Sequence, residues 1–284
     1  MTRPTTFLAA LAAFALGTQP TLAANPWADN VVSYNAGTDP APGFTDPTSA
    51  LGEPTRISGP TSMFPSIVNP NSPAFGTDEI VSIGVGGSLT VSFDEPVTDD
   101  PLNPFGIDLL IFGNSFLTGL FGPPPNFEFD PNAPFTGIAD EPGRIEVSAD
   151  DVTYVEVSGV FADSFFPTNG YSDITELPLP FGGISTPGSV PSDFTKPVDP
   201  SLNAIGLTFP ELIAAYDGSG GGVGVDLADV GLPSISFVRI TNPGSDPTVS
   251  PEIDAFADVR AIPEPTAAML TSAALLLSQA RRRR

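Results

Sequence analysis

Leu89, Val91 and Phe93 alternate with Ser88, Thr90 and Ser92. A period of two puts all three apolar side chains on one face of a strand and the polar ones on the other. A second strand is expected over residues 79–84. Gly86-Gly87 between the two reads as a hairpin turn. Residues 107–112 are almost wholly apolar, the pattern of a strand buried on both faces. Ile145 and Val147 alternate with Glu146 and Ser148, and residues 153–159 answer them across Ala149-Asp150-Asp151-Val152. That is the clearest hairpin of the chain. Residues 234–241 form a further strand. Residues 253–262 form the last, with Ile253, Ala255, Ala257 and Val259 expected on one side.

The intervening stretches carry less periodicity. Residues 25–73 read as an extended lead-in that wraps the core. Residues 116–142 and 161–210 read as loops rich in Pro, Gly, Asn and Phe. Residues 212–216 suit either one helical turn or a strand. With about seven or eight strands and no long helical period, the expected fold is all-β: an antiparallel β-sandwich of jelly-roll type with long Pro/Gly-rich loops. The 34 prolines and 28 glycines favour strands and turns over helices. A hydrophobic content of 40%, with 21 phenylalanines, is too high for a disordered chain.

The two ends read differently from the middle. Residues 1–23 have a basic start at Arg3, an apolar stretch and small residues Thr21 and Ala23 before the expected cut. This is the layout of a secretory signal peptide. Residues 24–262 are expected to form one sandwich domain. Then come Pro263, Glu264 and Pro265, an uncharged run of 15 residues, and Arg281, Arg282, Arg283 and Arg284. A stable spanning helix needs about 20 apolar residues, so the run suits a transient membrane stop better than an anchor. The arginines would hold its end on the cytoplasmic side. This tail, residues 263–284, resembles the PEP-CTERM sorting signal of bacterial surface and matrix proteins. The resemblance implies processing by signal peptidase and by an exosortase-type membrane enzyme. It also implies delivery to the cell surface or extracellular matrix.

The core carries a second resemblance. Gly106-Ile107-Asp108-Leu109-Leu110-Ile111-Phe112-Gly113-Asn114-Ser115-Phe116, Asp226-Leu227-Ala228-Asp229-Val230 and Glu252-Ile253-Asp254-Ala255-Phe256 look like exported surface proteins with a discoidin-like or galactose-binding-like sandwich. In such proteins an acid often precedes the asparagine; here Gly113 stands there. The hairpin turn often reads Asp-Gly; here it is Asp150-Asp151.

Charge and missing residue types narrow the chemistry. Apart from Arg3 and the four terminal arginines, the chain has five basic residues, Arg56, Arg144, Lys196, Arg239 and Arg260, against 33 acids, a net charge of −28. Such a surface repels nucleic acid and attracts divalent cations or basic partners. The acidity equally suits solubility in a salty medium. Without cysteine, disulfides, thiol catalysis and cysteine zinc sites are excluded; without histidine, so is a serine-hydrolase triad. A glycosidase needs only two carboxylates, and Glu128, Glu146 and Glu156 can be named for it. Glu146 and Glu156 are expected on solvent-facing strands, so no enzyme is expected.

The candidate metal ligands are the Asp and Asn residues at strand ends: Asp108, Asn114, Asp226, Asp229 and Asp254. Their oxygens suit calcium, and Asp and Asn also favour turns and caps. Trp27, Phe121, Phe127, Phe129, Phe135, Phe165, Phe166 and Tyr171 lie in loops, where aromatic faces can stack on sugars or pin the loops down. The expected role is adhesive or structural, in association with an extracellular polysaccharide and with calcium support. The alternatives are a purely structural surface protein and a carboxylate-based polysaccharide hydrolase.

Overall fold

Alternating apolar positions become strands wherever a second row of apolar side chains faces them. The protein is seen in a computed structural model that describes residues 25–59, 65–122, 128–177 and 187–260. Both terminal signals lie outside the described residues. Along the chain come β1 (Asn30–Asn35), β2 (Ile57–Ser58), β3 (Ser66–Ile67), β4 (Val81–Ser82), β5 (Ser88–Thr98), β6 (Leu109–Gly113) and β7 (Phe116–Thr118). Then follow β8 (Gly137–Ala139), β9 (Arg144–Ser148), β10 (Val155–Glu156), α1 (Phe209–Tyr216), β11 (Val223–Val225), β12 (Ser234–Thr241) and β13 (Glu252–Asp258).

Two antiparallel sheets face each other. The larger runs β1-β5-β12-β9-β10 and the smaller β11-β6-β13-β4, with the two-stranded ribbons β2-β3 and β7-β8 beside them. Leu89, Val91, Ile145, Val147, Val238 and Ile240 of the larger sheet share one buried cluster with Leu109, Ile111, Val223, Val225, Ile253 and Phe256 of the smaller. Burial of this shared layer is the main drive for the sandwich. The all-β sandwich expected from the periodicity is the observed fold.

The smaller sheet is covered outside as well. Leu110, Phe112, Ala255 and Ala257 pack under Ile107 and Phe194, and the Phe194 ring meets Phe112 edge-on at 5.3 Å. All five residues of β6 are therefore buried, as its unbroken apolar run predicts. Beside this layer α1 packs Phe209, Leu212, Ile213 and Tyr216 against Leu117, Leu120 and Phe135. Its start is fixed by Pro210 in the first turn and by Glu211, whose carboxylate accepts from both the backbone N–H and the hydroxyl of Thr208.

Several expectations change. Gly86-Gly87 is no hairpin turn, because β4 and β5 belong to different sheets. Gly87 is pressed against backbone carbonyls of Asn35, Ala36 and Gly84, and the glycines serve a crossing where chains approach closely. The lead-in contributes β1, an edge strand paired to β5. The 116–142 stretch holds the ribbon β7-β8. Ile253 does not share a face with Ala255 and Ala257. The register shifts between Ile253 and Ala255, which turns Ile253 and Phe256 into the inner core. The β9-β10 hairpin is as expected, with Val147 opposite Val155. Asp151 occupies the left-handed position, φ 60°, that glycine fills more cheaply.

Ile111 tests the layer model, being fully buried at the centre of β6. Ile111→Ala should cost about 2–5 kcal/mol, read as a lower urea midpoint with an unchanged slope. Val152→Ala, at a side chain 82% exposed, should change stability by less than about 0.5 kcal/mol.

Candidate functional site

Asp108 sits immediately before β6, where the 99–108 loop and the chain after β11 converge on one carboxylate. Its Oδ1 accepts from the Asp100 N–H at 3.1 Å and from Asn103 Nδ2 at 2.9 Å. Its Oδ2 accepts from the Leu227 N–H at 2.9 Å. The residue is fully buried, and that burial raises its pKa while the three hydrogen bonds oppose the rise. Asp226 caps the 3-10 helix Leu227–Val230 by accepting from the Ala228 N–H at 2.8 Å. Asp99, Asp108 and Asp226 bring carboxylate oxygens within 4.8 Å of one another.

Of the five residues proposed as ligands from sequence, the structure thus joins Asp108 and Asp226. Asp229 is exposed on the 3-10 helix. Asp254 is buried, and both its oxygens accept from Thr55, one from the backbone N–H and one from the hydroxyl. Burial pushes its carboxyl up to about 7. Asn114 follows β6 and lends its backbone N–H to Asp163. Asp99 and Asn103 were not among the candidates, although the Asp99-Asp100-Pro101-Leu102-Asn103 run directly after an alternating strand is a visible signal.

A second acidic group lies at the other end of β6. Glu141, Asp163 and Glu252 also bring carboxylate oxygens within 4.8 Å of one another. Asp163 accepts from the backbone N–H groups of Ser115 at 2.7 Å and Glu252 at 3.0 Å. Burial is the main cause that pushes Asp163 up to about 7. Glu252 is raised further, by burial and by a side-chain hydrogen bond with Glu141 that requires a shared proton. Gly113 is explained here. A Cβ on it would stand 2.5 Å from Asp163 Oδ1 and 2.8 Å from the Glu252 carbonyl oxygen. The space that a side chain at position 113 would need is taken by Asp163 and the Glu252 carbonyl.

Of the carboxylates named for hydrolysis, Glu146 and Glu156 stand opposite each other on the β9-β10 ladder, with Arg144 at 3.5 Å from Glu156, and Glu128 is exposed. The loop aromatics divide. Phe135 is fully buried beneath α1, Trp27 meets Phe194 edge-on at 6.5 Å, and Phe129 stacks on Phe121 at 5.4 Å. Tyr171 bridges to Pro191, and Phe127 lies outside the described residues. Phe165 and Phe166 line a cleft of about 310 Å³ with Ile107, Leu110, Pro200, Leu202, Gly222 and Gly224. Phe165 is 40% exposed at this cleft.

The Glu141-Asp163-Glu252 group sets a pH dependence. The folded pKa values of Asp163 and Glu252 lie above the ordinary carboxyl range of about 4. The stability that these two give is full below about pH 4 and is lost as the pH rises through about 7 for Asp163 and about 9 for Glu252. Melting temperature should fall between about pH 5 and pH 8. Glu252→Gln, which keeps that side chain neutral, should make the decline shallower by on the order of 1 kcal/mol. An unchanged slope in that variant would remove Glu252 from the proton-sharing group.

Among the described residues no helix is long and apolar enough to cross a membrane. No protein-family model matches the chain, and no curated protein matches it.

Proposed function

We propose that the protein is an exported, acidic β-sandwich of the cell surface or extracellular matrix that adheres to polysaccharide. The single observation that carries this reading is the aromatic cleft of about 310 Å³ at Phe165 and Phe166. Sugar rings have apolar C–H faces, and a partly exposed phenylalanine offers them a stacking surface. The net negative charge argues against nucleic acid and anionic lipid as partners. Export rests on the sequence of residues 1–23. Sorting rests on Pro263, Glu264, Pro265 and Arg281 to Arg284, with signal peptidase and an exosortase-type enzyme as processing partners. The membrane contact through the tail is transient in this reading.

A purely structural surface role is the second reading. It is favoured by the loop aromatics that are buried as covers, Phe135 and Phe194 above all. Affinity electrophoresis against a panel of soluble polysaccharides separates the two. Retardation by at least one polymer is expected, with Phe165→Ala weakening it about tenfold, since losing a stacked phenyl ring costs on the order of 1.5 kcal/mol. Retardation that Phe165→Ala leaves unchanged would move binding away from the cleft. No retardation by any polymer would favour the structural role.

A further inference from the structure

The loop from β5 to β6 closes on three carboxylates and one amide. Asp99, Asp108 and Asp226 hold oxygens within 4.8 Å of one another, a distance at which like charges oppose one another's ionisation. Four basic side chains act elsewhere: Arg56, Arg144 and Lys196 pair with Glu53, Glu156 and Asp217, and Arg239 lies over the Tyr154 ring. Arg260 acts on Asp258, which also feels Asp108.

Asn103 supplies an independent observation. It is 6% exposed, and its Nδ2 donates to Asp108 Oδ1 at 2.9 Å. The Oδ1 on the same planar group is buried beside the cluster and takes no hydrogen bond. Turning the amide over would set oxygen against oxygen at Asp108, so the orientation is fixed by chemistry. A buried amide oxygen without a protein donor calls for another partner, an ion or a water. Gly106 adds room: a Cβ there would stand 2.9 Å from Asp226 Oδ2, and its φ of +75° suits glycine.

We propose that Asp99, Asn103, Asp108 and Asp226 form a calcium site. Three carboxylates and an amide oxygen are hard donors. Water on the exposed Asp99 side completes the six to eight oxygens that calcium takes. Zinc and copper are disfavoured, because the chain has neither histidine nor cysteine. Magnesium demands a near-ideal octahedron. Here Asp108 and Asp226 are held by the backbone N–H groups of Asp100, Leu227 and Ala228, which leaves little freedom to build one. The ion ties the 99–108 loop to the 3-10 helix after β11. The Glu141-Asp163-Glu252 group is different: it has its own shared proton. Calcium binding is independent of the sugar-cleft reading, since the two are measured with different ligands.

The test is calcium titration of the chelator-treated protein by calorimetry, with melting curves in calcium and in sodium chloride of equal ionic strength. One saturable site is expected, in the range of about 10⁻⁴–10⁻³ M seen for extracellular modules, with a melting temperature that rises and levels off. Asp99→Asn, at an exposed side chain, should keep the fold and weaken binding about tenfold or more, because affinity follows ligand charge. Asp229→Asn should bind like the wild type. Asn103→Asp should melt lower in chelator and gain more from calcium. If Asp108→Asn does not fold, Asp99→Asn and Asp226→Asn decide. No saturable binding, or wild-type affinity in both of those variants, would overturn the site.

Discussion

Buried carboxylates that accept backbone N–H groups hold the loops of this protein to its sheets. The need arises from β6, which is buried on both faces and so requires a cover of long loops over the outer face of the smaller sheet. A chain without cysteine cannot fasten such loops by disulfides. It fastens them with Asp108, Asp163, Asp254 and Glu79 instead. Asp254 holds Thr55, 199 residues away, and Asp163 joins the ends of β6 and β13 through Ser115 and Glu252. Glu79 gathers the N–H groups of Gly59 and Gly76 with the Ser58 hydroxyl. Charge-assisted hydrogen bonds of this kind are about twice as strong as neutral ones, which suits them to ordering loops.

The acidity therefore has two populations with different consequences. Exposed acids repel anionic partners and keep the chain soluble. Interior acids are crowded, and burial raises Asp108, Asp163, Glu252, Asp254 and Asp258 above the ordinary carboxyl range. A shared proton relieves the crowding at Glu141 and Glu252. At Asp99, Asp108 and Asp226 the orphaned amide oxygen of Asn103 points to a cation in that role. The aromatic cleft borrows the same scaffold, because in its lining Ile107 directly precedes Asp108 and Gly224 stands two residues before Asp226.

What was legible in the sequence follows from what period-two patterns encode. The outline of β12, the β9-β10 hairpin and the double burial of β6 were readable because local alternation reports directly on which faces are covered. The Gly86-Gly87 crossing was not, since a glycine pair marks close backbone approach without saying whether the chain turns back or changes sheets. The shift at Asp254 was hidden for a related reason. One inserted residue puts Ile253 and Phe256 on the same face while leaving composition unchanged. Asp108 and Asp226 were visible as strand-end acids. Their meeting, and the part of Asp99 and Asn103, depends on a contact spanning 119 residues between Asp108 and Leu227, which no local pattern records. Gly113 is the converse case: it looked like a lost acid, and in space Asp163 takes the room that a side chain there would need.

The central claim is that one of these carboxylate clasps is completed by calcium. A crystal structure of the protein grown with calcium, with anomalous difference density measured at a wavelength where calcium scatters, tests it most directly. The account predicts one strong peak bounded by Asp99, Asn103 Oδ1, Asp108 and Asp226. A map without a peak there, with Asn103 Oδ1 satisfied by a protein donor or by water alone, would contradict it.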